Sequence, residues 1–214
     1  MSNSKTSVSS QVAGNELRWT RVATALIAGT LAYNLVEAGV ALFSGLRAGS
    51  IALVGFGFDS VIETVAAGVL LWRLRQGIRR TDAARLAELD RRVRRVVGGT
   101  FIALSVYVAI QASWSLWMRS EPAESLLGIA LAIASVVVMP AVSFAKIRAA
   151  RHLRSRALLA EAKETLACSY LSLTLLVGLV LNGALGWWWA DPVAALLMLP
   201  WLIREGVEGL HGGD

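Results

Sequence analysis

Asp59 and Glu63 stand four residues apart in the stretch FGFDSVIETV, residues 56–65, which is otherwise almost entirely apolar. On a helix, residues i and i+4 share one face with their Cβ atoms about 6 Å apart, so the two carboxylates point the same way. Glu164 and Cys168 repeat that spacing, and Asn34 with Glu37 is a looser i, i+3 version of it. Two helices that each offer two ligand-type side chains on one face can enclose a divalent cation in a roughly tetrahedral site. Carboxylate oxygens and a thiolate all suit zinc, and sulfur moves the preference toward zinc or cadmium and away from magnesium and calcium. Acids and thiols bind a cation only after giving up their protons, so the same cluster would exchange metal for protons. A lone cysteine is more often a small buried hydrophobe; its place one turn after Glu164 is what nominates Cys168.

The elements that must position these groups are membrane spans. The chain has 214 residues, 56% of them hydrophobic, and a mean hydropathy of +0.58, above what the surface of a water-soluble domain tolerates. A span needs roughly 20 mostly apolar residues, and residues 22–46, 50–72, 96–118, 125–145 and 165–185 qualify. A sixth, from Asp191, is shorter. Its apolar core ends at Ile203, which leaves a re-entrant or tilted segment as the alternative, but it is read as a span because Trp187, Trp188 and Trp189 make an aromatic cluster at its start and Arg204, Glu205 and Glu208 close its far end. The expected fold is therefore all-α, a polytopic six-helix bundle. A carboxylate at membrane depth costs roughly 2.5 kcal/mol or more on insertion scales, so Glu37, Asp59, Glu63 and Glu164 are expected to turn inward toward a partner or a task.

Basic residues set the orientation. Arg73, Arg75, Arg79, Arg80, Arg85, Arg91, Arg92, Arg94 and Arg95 lie between the second and third spans, and Lys146, Arg148, Arg151, Arg154, Arg156 and Lys163 between the fourth and fifth. The opposite loops hold Arg47 and Arg119 alone. By the positive-inside rule the two basic loops are cytoplasmic, and Lys5, Arg18 and Arg21 place the N-terminus there, with the C-terminus on the same side. The membrane explains the pI near 10.2 better than nucleic acid does, so no nucleic-acid partner is expected. The stretch RTDAARLAELDRRVRR reads as a cytosolic helix continuing the membrane helices.

The first 17 residues are polar and are expected to form a flexible tail ahead of a transport domain, 18–214, and no secretory signal peptide is apparent. Asp191 followed by Pro192 looks like the capped start of the last helix. Pro140 is expected to kink the fourth span. Gly29, Gly39, Gly45, Gly68, Gly178 and Gly183 suit close helix approach. His152 and His211 are the only histidines and lie in a basic loop and the tail. No Ser and His pair lies within the spans, which speaks against membrane proteolysis; neither an enzyme nor a prosthetic group is expected.

The segments YNLVEAGVALFSGLRAGSIALVGFGFDSVIE and LLAEAKETLACSYLSLTLLVGLVLNGALGWWWADPVAALL resemble the first, second, fifth and sixth spans of cation diffusion facilitators. The resemblance implies six helices that export divalent metal, usually zinc, from the cytoplasm in exchange for protons, generally as homodimers that alternate between inward-open and outward-open states. It also implies a metal site on the second and fifth helices, onto which Asp59 and Glu63, and Glu164 and Cys168, fall by position. The family's fifth-helix pair is usually His and Asp, so this chain departs from the pattern there. Zinc is the first expectation, with cadmium, cobalt, iron(II) and manganese behind it, and Asn34 and Glu37 are expected as accessory groups. Typical members continue into a cytosolic metal-binding domain, whereas this sequence ends at Asp214; the expectation is a transmembrane domain alone, dimerising through membrane contacts in the lipid bilayer. A bacterial inner membrane fits the compact architecture. Two other classes use the same features: a proton-coupled exporter of organic cations, which would want an aromatic-lined chamber, and a non-transporting membrane scaffold.

Overall fold

A computed structural model describes residues 3–77 and 83–211, and every one of its regular elements is a helix. They are α1 (Asn3–Ala48), α2 (Ile51–Gly77), α3 (Ala83–Met118), α4 (Leu126–Leu153), α5 (Arg156–Leu185) and α6 (Ala190–His211). Five of these hold a stretch long and apolar enough to cross a bilayer: Arg18–Ala48, Ile51–Val69, Arg95–Met118, Leu126–Leu153 and Leu158–Leu185. Helix α6 falls short by composition, with Arg204, Glu205 and Glu208 in its second half; it packs against α3, α5 and α2. The protein is thus a multi-pass helical membrane bundle.

Helix α1 runs from Asn3, so its helical backbone takes in the polar stretch ahead of the first span. Pro140 lies inside α4. Arg79 and Arg80 lie outside the described residues, as do the side chains of Arg73, Arg75, Arg85, Arg94 and Arg156. The expected extension of α3 beyond the membrane is present, and there Glu88 pairs with Arg92 at 3.0 Å and Arg91 at 3.5 Å. The Arg92 guanidinium holds the Glu88 carboxyl below its ordinary range.

The bundle is apolar outside and polar in places inside, as a fold solvated by lipid requires. Leu35, Val36, Phe43, Val106, Ile110, Trp117, Val137 and Phe144 are exposed. Asn34, Glu37, Asp59, Ser60, Ser135, Ser143 and Lys146 are buried. Between them, Leu53 and Phe56 of α2, Leu104 and Val108 of α3, Leu171 and Leu175 of α5, and Met198 and Leu202 of α6 form the main apolar core. A smaller cluster joins Ala23 and Ile27 of α1 to Ala149 and Ala150 of α4 and Leu158 of α5.

Small residues set the helix spacings. A Cβ on Gly45 would lie 2.9 Å from the backbone nitrogen of Val54, and one on Gly57 3.0 Å from that of Leu42, so α1 and α2 touch backbone to backbone. A Cβ on Gly98 would meet the Gly206 carbonyl oxygen at 2.7 Å, which fixes α3 on α6 in the same way. Of the glycines nominated from sequence, Gly45 and Gly178 sit at such approaches, whereas Gly29 and Gly39 have nothing within 4 Å.

The short turn between α1 and α2 is pinned by a residue far along the chain. Gly49 takes a left-handed backbone, φ 68°, and the Asp191 carboxylate then accepts from the Ser50 hydroxyl and, at 2.9 Å, from the Ile51 amide. Asp191 is therefore not a cap of its own helix, which begins at Ala190. It satisfies orphan donors at the start of α2 instead, and this holds α6 and α2 in register.

Candidate metal centre

Helix α2 presents Asp59 and Glu63 on one face, and α5 brings Cys168 against them. Ligand-type atoms of these three residues lie within 4.8 Å of one another, and among the described residues no other group of three His, Cys, Asp or Glu side chains does so. The Cys168 Sγ is 3.9 Å from Asp59 Oδ2 and is hydrogen-bonded to Glu63 Oε1. Asp59 and Cys168 are buried, at 2% exposure each, and Glu63 is half-buried. Ser172, one turn beyond, donates to the Cys168 carbonyl at 2.7 Å.

Glu164 does not join this group. Its side chain is exposed, one turn before Cys168 on α5. The i, i+4 spacing puts both on the same side of the helix, but only Cys168 is carried inward by the α2–α5 packing.

The pair on α1 is divided between two places. Asn34 Nδ2 donates to Glu63 Oε2 at 2.9 Å, so α1 holds the second oxygen of a carboxylate whose first oxygen faces the thiol. Glu37 turns elsewhere: its Oε2 accepts from Ser60 at 2.9 Å and its Oε1 accepts from Ser135 of α4. Tyr33 Oη lies 2.9 Å from the same Ser135 hydroxyl. Glu37 is 1% exposed, so these hydroxyls stand in for the water it has lost.

Sequence reasoning missed Ser60 and Ser135, each a lone hydroxyl in an apolar run, and it misjudged Lys146. That lysine was counted among the cytoplasmic loop charges; it lies inside α4, fully buried, with Nζ 2.6 Å from Glu161 Oε1 and 2.9 Å from Thr165 Oγ1. The signal available was the alanines and serine interspersed around it in AVSFAKIRAA, which allow α5 to come close. Glu161 is buried as the partner of that lysine.

In chemical character the α2–α5 cluster is two carboxylates and a thiol, donor types that suit a divalent ion, with ligand-type atoms within 4.8 Å of one another. Trp187 and Trp189 stack on each other at 5.1 Å beyond the end of α5, and Trp114 and Trp117 are exposed on α3. No curated protein matches the chain. The family model for the cation efflux transmembrane domain matches residues 27–208, from within α1 to near the end of α6, and the chain belongs to that family of membrane transporters for metal cations.

Proposed function

We propose that this protein exports a divalent metal ion, zinc first, from the cytoplasm in exchange for protons, and that Asp59, Glu63 and Cys168 hold the ion within the membrane. The observation that carries the reading is the convergence of those three side chains from α2 and α5 in an otherwise apolar bundle. Two anionic oxygens and a thiolate suit zinc, cadmium or cobalt better than magnesium or calcium. Each donor must lose a proton to bind, so loading with metal releases protons and reprotonation expels metal. Glu164, exposed one turn away, would receive the ion on its way to the cluster. Alternation would come from rocking of helices about a site at membrane depth, with Glu37 and its hydroxyl partners tying α1, α2 and α4 together beside it.

Transport by the purified chain in proteoliposomes tests this. Uptake of zinc, cadmium, cobalt, iron(II) and manganese is followed with and without an imposed pH gradient. A gradient-dependent flux that disappears in Asp59→Ala and Cys168→Ser is expected. Flux that ignores the gradient removes the proton exchange, and transport of organic cations with no metal dependence removes the metal reading.

A further inference from the structure

Glu63 is held at both ends. Oε1 faces the thiol of Cys168 and Oε2 receives the amide nitrogen of Asn34. Asn34 is 1% exposed, yet its carbonyl oxygen Oδ1 has no hydrogen-bond partner among the described residues. A buried acceptor left unpaired keeps the full penalty of losing its water, and the packing of α1 on α2 is what holds it there. The two heteroatoms of one amide share a carbon, so the unpaired oxygen lies beside the same carboxylate that the nitrogen holds.

The cluster itself is one donor short. Zinc and cobalt in sites of this kind take about four donors, and Asp59, Glu63 and Cys168 supply three side chains with no fourth acid, thiol or imidazole among the described residues joining them. A side-chain amide carbonyl is an accepted ligand for divalent cations. We infer that Asn34 Oδ1 is the fourth donor to the transported ion, so that α1 joins α2 and α5 in holding it. This rests on the reading of Asp59, Glu63 and Cys168 as the cation site. A neutral oxygen in that place leaves three ionisable donors, and it makes the set three oxygens to one sulfur, which suits borderline ions such as zinc and cobalt rather than soft ones.

Titration of the purified full chain with cobalt and with cadmium tests the inference and its premise separately. Wild type should show one thiolate-to-metal charge-transfer band per ion, lost in Cys168→Ser; absence of that band in wild type would remove the premise. With the band present, Asn34→Ala should bind cobalt about tenfold or more weakly, whereas Asn34→Asp, which keeps an oxygen but no N–H donor, should bind as tightly as wild type or tighter. Asn34→Cys should double the thiolate absorbance per cadmium and shift preference from cobalt to cadmium. Equal losses in the Ala and Asp variants, together with no added absorbance in the Cys variant, would show that Asn34 merely orients Glu63 through its N–H and would overturn the inference. Size-exclusion profiles and helical content show which variants fold; should Asn34→Ala fail to, the Asp and Cys variants decide the matter.

Discussion

Lys146 of α4 and Glu161 of α5 face each other at 2.6 Å with the lysine wholly buried. Thr165 accepts a second hydrogen bond from the ammonium at 2.9 Å, and its own hydroxyl donates to the Glu161 carbonyl at 3.0 Å. Ser143 donates to the Ala162 carbonyl at 2.7 Å on the same seam. The α4–α5 contact is therefore polar at its heart, and it sits one to two helical turns from Cys168.

Breaking one side of such a pair leaves a buried charge alone, which costs roughly 3–5 kcal/mol, while replacing both partners with apolar residues of similar size is often close to neutral. Lys146→Met should accordingly lower the Tm in detergent sharply, and Lys146→Met combined with Glu161→Met should recover most of the loss. A single variant as stable as wild type would mean that the pair is solvated rather than sealed in the seam.

Metal binding should weaken as the solution is acidified. The donors Asp59, Glu63 and Cys168 bind the ion deprotonated, so protons compete with metal, apparent affinity falls with falling pH, and loading at neutral pH releases protons. Calorimetry of zinc binding in two buffers of different ionisation enthalpy measures the number released. Equal heats in both buffers would contradict proton displacement.

Both carboxylate oxygens of Glu37 accept from hydroxyl partners, Ser60 and Ser135, and Glu37 is not in the Asp59, Glu63 and Cys168 group. Glu37→Gln should therefore leave zinc affinity within about threefold of wild type, because the amide keeps the size and one acceptor. Glu37→Leu should lower stability by taking one acceptor from each of two buried hydroxyls, although Ser60 keeps the Phe56 carbonyl and Ser135 keeps Tyr33. A large loss of affinity in the Gln variant would make Glu37 part of the ligand set.

Glycine substitutions should divide along the close approaches. Gly45→Ala forces a methyl to 2.9 Å from the Val54 nitrogen, so α1 and α2 must separate, at about 1–3 kcal/mol. Gly29→Ala and Gly39→Ala, with nothing within 4 Å, should be neutral or stabilising by up to about 1 kcal/mol, since alanine favours the helix. Thermal melts of the three single variants compare them directly; equal shifts would deny the backbone contact.

Asp191→Ala should loosen the start of α2, because the Ser50 hydroxyl and the Ile51 amide lose their acceptor. Loss of a side-chain cap costs about 0.5–2 kcal/mol, and hydrogen exchange at Ile51 and its neighbours should rise before the rest of the helix is affected. Unchanged exchange there would exclude the capping role.

Local periodicity was enough to say that the chain is a helical membrane bundle and that Asp59 and Glu63 share a face, because a span length and an i, i+4 spacing are properties of one helix. The same logic paired Glu164 with Cys168 and Asn34 with Glu37, and there it reached its limit. Which residue of a pair enters the interior depends on where the neighbouring helices press, and that is a long-range matter of glycine contacts such as Gly45 on Val54 and of the Asp191 tether between α6 and α2. Packing alone turned Cys168 inward and left Glu164 exposed, sent Asn34 to Glu63 and Glu37 to Ser135, and drew Lys146 out of the class of loop charges into the α4–α5 seam. Residue types and their spacing name the groups able to do chemistry, whereas the angle and depth at which the helices meet decide which of those groups touch.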